Sequence, residues 1–185
     1  MATHDYFQAL RQVVTVIASS LDPREVLAGV TEQTARTMRC KACTLRLLDK
    51  TGEILQASAA YGLSPDYMRK GPVEVGKSGL DGEVLKGKTI HLRDATGDGR
   101  FQYPEAARKE GLISVLSTPL MVDGKAIGLI RVYSDSERDF TRDESEFMEA
   151  VAGVSALAIQ NARLHAALRA AFELQSTYTY QVFED

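Results

Sequence analysis

Phe7, Leu10, Val14, Ile17 and Leu21 recur at alternating steps of three and four residues, the apolar seam of an amphipathic helix. "SLDPREVL" breaks that pattern and restarts it. Asp22 is placed to cap, Pro23 suits the first helical position, and Glu25 has the spacing of a capping box. The second helix is expected to run to about Met38, with Val26, Leu27, Val30, Thr34 and Met38 inward. Alternation with period two follows in "CTLRLLD" and "EILQASAAYG", joined by a "DKTG" hairpin turn. "LSPDYMRK" reads as a short helical turn. A glycine-rich stretch over residues 73–113 holds a short helix near Leu80 to Leu85, a short strand near Thr89 to Leu92, a polar loop and a helix from about Pro104 to Glu110. "SVLSTPLMV" and "AIGLIRVYS" form a second hairpin across "DGK". A long helix is expected from about Thr141 to about Leu174, and residues 176–185 show no helical period. Helix, helix, strand, strand, mixed segment, strand, strand, long helix predicts an α+β fold: an antiparallel sheet with helices on its faces.

Composition narrows the function classes. The 185 residues carry a net charge of −3 and are 44% apolar and 25% charged, an ordinary globular balance. That charge supplies no field to draw nucleic acid or an anionic membrane. No apolar run approaches the roughly 20 residues of a membrane span, and "MATHDYFQALRQ" lacks the blocks of a signal peptide. A soluble cytoplasmic protein is expected, with neither nucleic acid nor membrane as partner.

Cys40 and Cys43 form a Cys-x-x-Cys pattern, yet a helix precedes them and a strand follows. A thioredoxin-like site requires the reverse order. Only His4, His91 and His165 accompany them, and none has metal-ligand spacing. The two cysteines read as structural, Cys43 sharing a strand face with Leu45 and Leu47; a redox-sensing pair is the alternative. No cofactor or metal is expected. "VGKSGLDG" and "ATGDGRF" match neither a P-loop nor a dinucleotide fingerprint, and no nucleophile-elbow or paired-carboxylate motif occurs.

The blocks "ACTLRLLDKTGEILQASAAYG", "GLDGEVLKGKTIHLRDATGDGRF" and "GLISVLSTPLMVDGKAIGLIRVYSDSERDFTRDESEFMEAVAGVSALAIQNARL", in this order, resemble a GAF domain over roughly residues 22–165. The resemblance implies a GAF-like (PAS-related) six-stranded antiparallel sheet, with N- and C-terminal helices on one face and a pocket segment on the other. It divides the chain into an N-terminal helix (1–21), a GAF domain (22–160), an extension of the C-terminal helix (161–175) and a tail (176–185). It implies a sensory or regulatory module that binds a small molecule and dimerises through its terminal helices. Subtype patterns are missing. Ser134-Asp135 and Glu144-Ser145 stand where cyclic-nucleotide members carry Asn-Lys and Asp-Glu, although Phe140 matches. No cysteine after Cys43 is present to serve as a bilin attachment point or a sulfoxide-reductase thiol.

Strand alternation puts Thr44, Arg46 and Leu48 on one face, and Ile127, Leu129, Arg131 and Tyr133 on another. In a GAF-like sheet these strands are neighbours, which would stand Arg46 and Arg131 side by side facing the pocket. A buried arginine needs a partner. One reading is an anionic ligand; the other is pairing with Asp94, Asp98 or Glu83, or partial exposure. Tyr133, His91, Arg100, Phe101 and Ser114 are further candidates for the lining. The expected function is a non-enzymatic sensor binding a small molecule, an anion in the first of these readings, and signalling through a homodimer to a separate signalling protein. The alternatives are a ligand-free dimerisation scaffold and a thiol-dependent enzyme of the sulfoxide-reductase kind.

Overall fold

A computed structural model of the chain describes residues 3–20 and 22–181, with side chains over 6–20 and 22–173. In chain order the elements are α1 (Thr3–Ser19), α2 (Pro23–Thr37), β1 (Ala42–Leu48), β2 (Ile54–Tyr61), α3 (Pro65–Met68), β3 (Val73–Glu74), α4 (Gly79–Val84), β4 (Ile90–Leu92), α5 (Pro104–Glu110), β5 (Ser114–Val122), β6 (Lys125–Ser134) and α6 (Arg142–Gln181). The strands form one antiparallel sheet in the order β3-β2-β1-β6-β5-β4. The α+β architecture is therefore the expected one. The two-residue strand β3 lies where sequence alone offers no alternation.

Local chemistry sets the turns. The β5–β6 connection is Asp123-Gly124 at φ 49° and 75°, the paired positive values of a tight hairpin turn. At the β1–β2 turn the Asp49 carboxylate accepts the backbone N–H groups of Glu53 and Ile54, each at 3.2 Å, so the side chain replaces backbone bonds that the turn cannot make. Asp22 caps α2 by accepting the Arg24 N–H at 2.8 Å, with Pro23 at the first helical position. Glu25 does not close the expected capping box. It accepts the Ser20 hydroxyl at 2.7 Å, and that hydroxyl accepts the Asp22 N–H at 3.0 Å.

The helices α1, α2 and α6 cover one face of the sheet. Val26, Leu27, Val30 and Met38 of the α2 segment meet Cys43, Leu45, Leu116, Leu120, Ile130 and Val132 from the strands. Phe147, Met148, Val151, Ala152, Ala156 and Ile159 of α6 complete that core.

The rotation of α1 splits its seam: Leu10 and Ile17 pack partly buried against the core beside Ala9 and Val13, which are buried, whereas Phe7 is 72% and Val14 is 46% exposed. Close packing on α2 sets this rotation. A Cβ on Gly29 would lie 2.6 Å from Val16 Cγ1, so the missing side chain lets the Val16 face approach. Tyr6 stacks on Phe147 with centroids 5.2 Å apart. Leu21 lies outside the described residues. One expectation needs correction: α6 runs to Gln181 instead of giving way to a tail at 176. After Gly153 it contains neither Gly nor Pro, the residues that most strongly stop a helix. Residues 182–185 lie outside the described residues. No described helix is long and apolar enough to cross a membrane.

Candidate functional site

The sheet face opposite the terminal helices is covered by the segment between β2 and β5. Leu55, Tyr67, Val73, Leu80, Val84, Leu92, Phe101, Ala107, Leu112, Val115, Leu129 and Tyr133 form a second apolar cluster there. Two guanidinium groups, Arg46 and Arg131, are buried beside it, each 3% exposed. Thr44 pairs with Arg131 and Arg46 with Leu129 across β1 and β6. The arginines therefore share a face as diagonal neighbours, not as a directly opposed pair. The β1–β2 register shifts at Arg46, from Leu45↔Ala59 to Arg46↔Ala57, leaving Ser58 as the extra residue of a bulge. On the other side, a Cβ on Gly128 would strike the Arg46 carbonyl oxygen at 2.1 Å. Glycine is the residue that permits this close approach of β6 to β1.

The two arginines have different partners. Arg131 pairs with the Asp81 carboxylate, which is also buried. Its Nε donates to Ser117 Oγ at 2.5 Å, and the Phe101 ring lies 5.4 Å from its guanidinium carbon. Ser78 donates to the second Asp81 oxygen at 2.5 Å while accepting the Asp81 N–H at 3.3 Å, the reciprocal start of α4. Both oxygens of Asp81 are thus engaged. Burial by itself would lower the Arg131 pKa; Asp81, Tyr133 and Tyr67 outweigh it and raise the value above the ordinary one. Arg46 has no carboxylate. Its Nη1 donates to the Leu55 carbonyl at 3.3 Å, and its Nε is buried with no hydrogen-bond partner. The Tyr67 hydroxyl is also buried without a partner. The Tyr133 hydroxyl, although near it, does not reach hydrogen-bond geometry with it and instead meets Thr44 Oγ1 at 3.3 Å. Burial, then Tyr133, raises the Tyr67 pKa.

A small cavity lies among these groups, lined by Arg46, Tyr67, Asp81, Arg131 and Tyr133 from below and by Lys70, Phe101 and Tyr103 above, with about 10 Å³ of free space. That is room for about one water molecule. Lys70 Nζ stands 3.4 Å from the Tyr67 ring centroid. Its pKa is pulled down to about 7, first by burial and then by Arg46 and Arg131, against the opposing pull of Glu110 and Asp81.

Of the residues expected from sequence, Arg46, Arg131, Tyr133 and Phe101 meet at this cavity. His91, Arg100 and Ser114 do not line it. His91 Nε2 is 3.0 Å from the Arg138 carbonyl oxygen, with its ring edge-on to Phe140 at 5.3 Å. Ser114 donates to the Arg93 carbonyl, with the Ser136 carbonyl further off at 3.1 Å, and accepts the Arg138 N–H at 2.9 Å. Both sit on the other sheet face because their strand parity is that of Leu116. Arg100 is half-exposed, paired with Asp98 at 2.8 Å and Glu83 at 3.1 Å. Neither of those carboxylates, nor Asp94, pairs with Arg46 or Arg131; Asp81 takes Arg131. Asp81, Tyr67, Lys70 and Ser117 were not foreseen. The Ser78-x-x-Asp81 spacing is a capping signal that could have singled out Asp81, and the parity of Ser117 with Arg131 could have singled out that serine.

The cysteines lie elsewhere. Cys43 is fully buried in the helix-side core and Cys40 is partly buried against it, both as free thiols. Burial pushes the Cys40 thiol up to about 12, with Arg138 opposing, and pushes Cys43 well above its ordinary value. Among the described residues there is no group of three or more His, Cys, Asp or Glu that could hold a metal ion.

A family model for the GAF domain matches residues 22–159. The fold is similar to the GAF domain of a phosphoenolpyruvate-protein phosphotransferase from Coxiella burnetii, at TM-score 0.80 and 22% identity, covering 90% of this chain and 99% of that one. The corresponding domain from Acinetobacter gives TM-score 0.75 and 23% identity, over 88% of this chain and 97% of that one. Free methionine-R-sulfoxide reductase from Neisseria meningitidis, in complex with its substrate, gives 0.72 and 18%, over 86% and 91%. At these identities the likeness is one of fold. No curated protein matches the sequence.

Proposed function

Because the chain belongs to the GAF domain family, we propose that it is a non-enzymatic regulatory domain that senses a small anionic molecule in the sheet pocket. The observation that carries this reading is Arg46: a buried guanidinium with no carboxylate and an orphaned Nε, beside an orphaned Tyr67 hydroxyl. Buried charges are normally paired. An excess of donors facing one cavity is complementary to an oxyanion. A thermal-shift screen of small carboxylates and phosphates tests this. At least one is expected to raise the melting temperature of the wild type and to lose that effect in Arg46→Ala; a screen without a hit overturns the reading.

Output through a homodimer of the terminal helices is the second part of the proposal. From Arg163 to Glu173 every side chain of α6 is exposed, including Leu164, Leu168 and Phe172. This stretch reaches roughly 20 Å past Ile159, the last buried residue of the helix among those described. Phe7, Val14 and Leu157 add exposed apolar surface nearer the domain. A groove of about 780 Å³ lies between the α1–α2 junction and α6, lined by Ile17, Val26, Leu27, Ile159, Ala162 and Ala166 among others. A second copy would cover these surfaces at once, and Asn161 and His165 on the same helix could set its register. Sedimentation is expected to give a dimer that Phe7→Glu with Leu168→Glu converts to monomer; a monomeric wild type sinks this part. The small cavity favours one competing reading, a dimerisation scaffold without ligand, which a dimer together with an empty screen would support. In the sensor reading, the occupied pocket alters helix crossing, and a separate signalling protein detects the change. The expected setting is cytoplasmic.

A further inference from the structure

The pocket's charges do not balance. Arg131 is compensated by Asp81, whose oxygens are both engaged by Arg131 and Ser78. Glu110, the other carboxylate acting on Lys70, accepts the Ser64 N–H and hydroxyl at 2.6 and 2.5 Å. Arg46 and, when protonated, Lys70 are left as cations facing one small space. The groups that face Lys70 are Arg46 from β1, Arg131 and Tyr133 from β6, Tyr67 from α3, Asp81 from α4, Glu110 from α5 and Tyr103 from the loop before it.

We propose that Lys70 completes the anion site with Arg46, and that a short-chain carboxylate binds there together with a proton taken up by the Lys70 amine. This inference rests on the anion-pocket reading above and specifies its ligand class and its coupling.

The class follows from the donors. A guanidinium offers a planar fork that matches the two oxygens of a carboxylate, and one uncompensated arginine calls for one negative charge. As it stands the cavity has about 10 Å³ of free space, so a carboxylate enters only as the Tyr67, Phe101 and Tyr103 rings around it give way, which restricts the class to the shortest acids. The coupling follows from charge. With Lys70 neutral, Arg46, Arg131 and Asp81 sum to one positive charge. A monoanion brings the sum to zero and removes the repulsion that Arg46 exerts on the Lys70 ammonium. The amine then accepts a proton from solvent, restoring the original sum and forming a second charged contact to the ligand. No covalent bond is made or broken. The Tyr67 ring face, 3.4 Å from Nζ, holds the ammonium form in place.

The test follows the Lys70 titration by NMR in lysine-labelled protein, with the resonance assigned through Lys70→Arg, in the presence and absence of acetate and of formate. Lys70 is expected to titrate near neutrality alone and about one pH unit or more higher when acetate is saturating. Acetate affinity is expected to fall several-fold from about pH 6 to about pH 9 in the wild type and to be flat in Lys70→Met. Acetate that binds through Arg46 with the same affinity at both pH values, or that leaves the Lys70 midpoint unmoved, overturns the coupling and leaves the anion pocket standing. Inorganic phosphate or chloride binding in preference to acetate overturns the carboxylate class. Failure of acetate, formate, phosphate and chloride alike overturns this inference and counts against the pocket reading itself. The wild-type titration needs no variant, so a misfolded mutant cannot obscure the outcome.

Discussion

The two faces of one sheet are stabilised in opposite ways. On the helix side, β1, β5 and β6 contribute Cys43, Leu45, Leu116, Leu120, Ile130 and Val132. Buried hydroxyls of α2 bond within their own helix, Thr31 to the Ala28 carbonyl at 2.9 Å and Thr34 to the Val30 carbonyl at 2.7 Å. On the pocket side the same three strands contribute Thr44, Arg46, Ser117, Arg131 and Tyr133. Apolar burial is non-directional and needs only shape. A buried charge needs a specific partner, and here one arginine has it and the other does not. The helix face therefore reads as the foundation of the fold, and the pocket face as the place where a buried charge is left without a partner, which the proposed reading assigns to ligand recognition.

The largest expected effect breaks the one satisfied pair. Asp81→Asn keeps the side-chain shape and leaves Arg131 buried without its counter-charge, and should cost about 3–5 kcal/mol in urea unfolding. Replacing both partners, Asp81→Leu with Arg131→Met, should return most of that loss, since an apolar pair of similar volume removes both desolvation penalties. Recovery that failed would mean that the ion pair supports the fold in its own right.

Leu45→Ala on the opposite face should cost about 2–4 kcal/mol through lost burial and a residual cavity. No second substitution on the pocket face should rescue it, because the two clusters are separated by the sheet. Measuring it together with Asp81→Asn sharpens the comparison: losses at well-separated sites should add to within about 0.5 kcal/mol.

Arg46→Met should act in the reverse sense. The orphaned Nε disappears and an apolar chain of similar length replaces it, so stability should rise by about 1–2 kcal/mol while anion binding is lost. A stabilised variant without function is the pattern of a residue kept for its ligand. A loss of stability equal to that of Asp81→Asn would erase the distinction between the two arginines.

Much of this contrast was legible in the sequence. Period-two alternation assigned Arg46, Arg131 and Tyr133 to one face and Cys43, Leu45, Ile130 and Val132 to the other, because a strand offers only two directions. Three- and four-residue spacing identified the terminal helices but not the rotation of α1. Phe7, Leu10, Val14 and Ile17 form a regular apolar stripe, yet the helix turns Phe7 and Val14 outward while Leu10 and Ile17 keep contact with the core, a rotation set by Gly29 against Val16. Which acid meets Arg131 depends on how the six-residue α4 docks on the sheet. Asp94, Asp98, Glu83 and Asp81 are alike in composition, and only the docking separates them. His91 and Ser114 were assigned to the pocket by their segment, when parity with Leu116 puts them on the other face. Lys70 and Tyr67 carry no periodic signal at all, since α3 is four residues long and is ordered by its Ser64 cap, which accepts the Tyr67 N–H at 3.1 Å.

Lys70 gives the pocket face a pH dependence that sets in near neutrality, below the range in which the raised Cys40 and Cys43 thiols of the helix face contribute. Its pKa in the folded protein, about 7, lies below the 10.5 of an ordinary lysine. The folded state thus favours the neutral amine. Between those two values the unfolded chain binds more protons, so this group makes stability rise with pH from about 7 toward 10.5. Below about 7 the cost of holding the ammonium is present in full. Comparing urea midpoints of wild type and Lys70→Met between about pH 7 and about pH 9, below the range of the cysteine thiols, should show the rise only in the wild type. Equal slopes would place the titration elsewhere.

The smallest expected effect tests the cysteines, which belong to the foundation and not to the site. Cys43 packs with Leu45 and Ile130 under the helices, and Cys40 lies at the edge of the same core, its thiol 3.9 Å from an Arg138 nitrogen. Burial outweighs that positive neighbour and holds the Cys40 thiol near 12. The thiolate is the reactive form, so at about pH 8 Cys40 should react with a disulfide reagent far more slowly than free cysteine does, and at an ordinary rate once urea unfolds the chain. Cys40→Ala with Cys43→Val should change stability by about 1 kcal/mol or less, since the volumes are nearly conserved, and should leave acetate binding unaltered. A fast-reacting Cys40 in the folded protein, or loss of binding in the double variant, would move the cysteines from the packed face to the functional one.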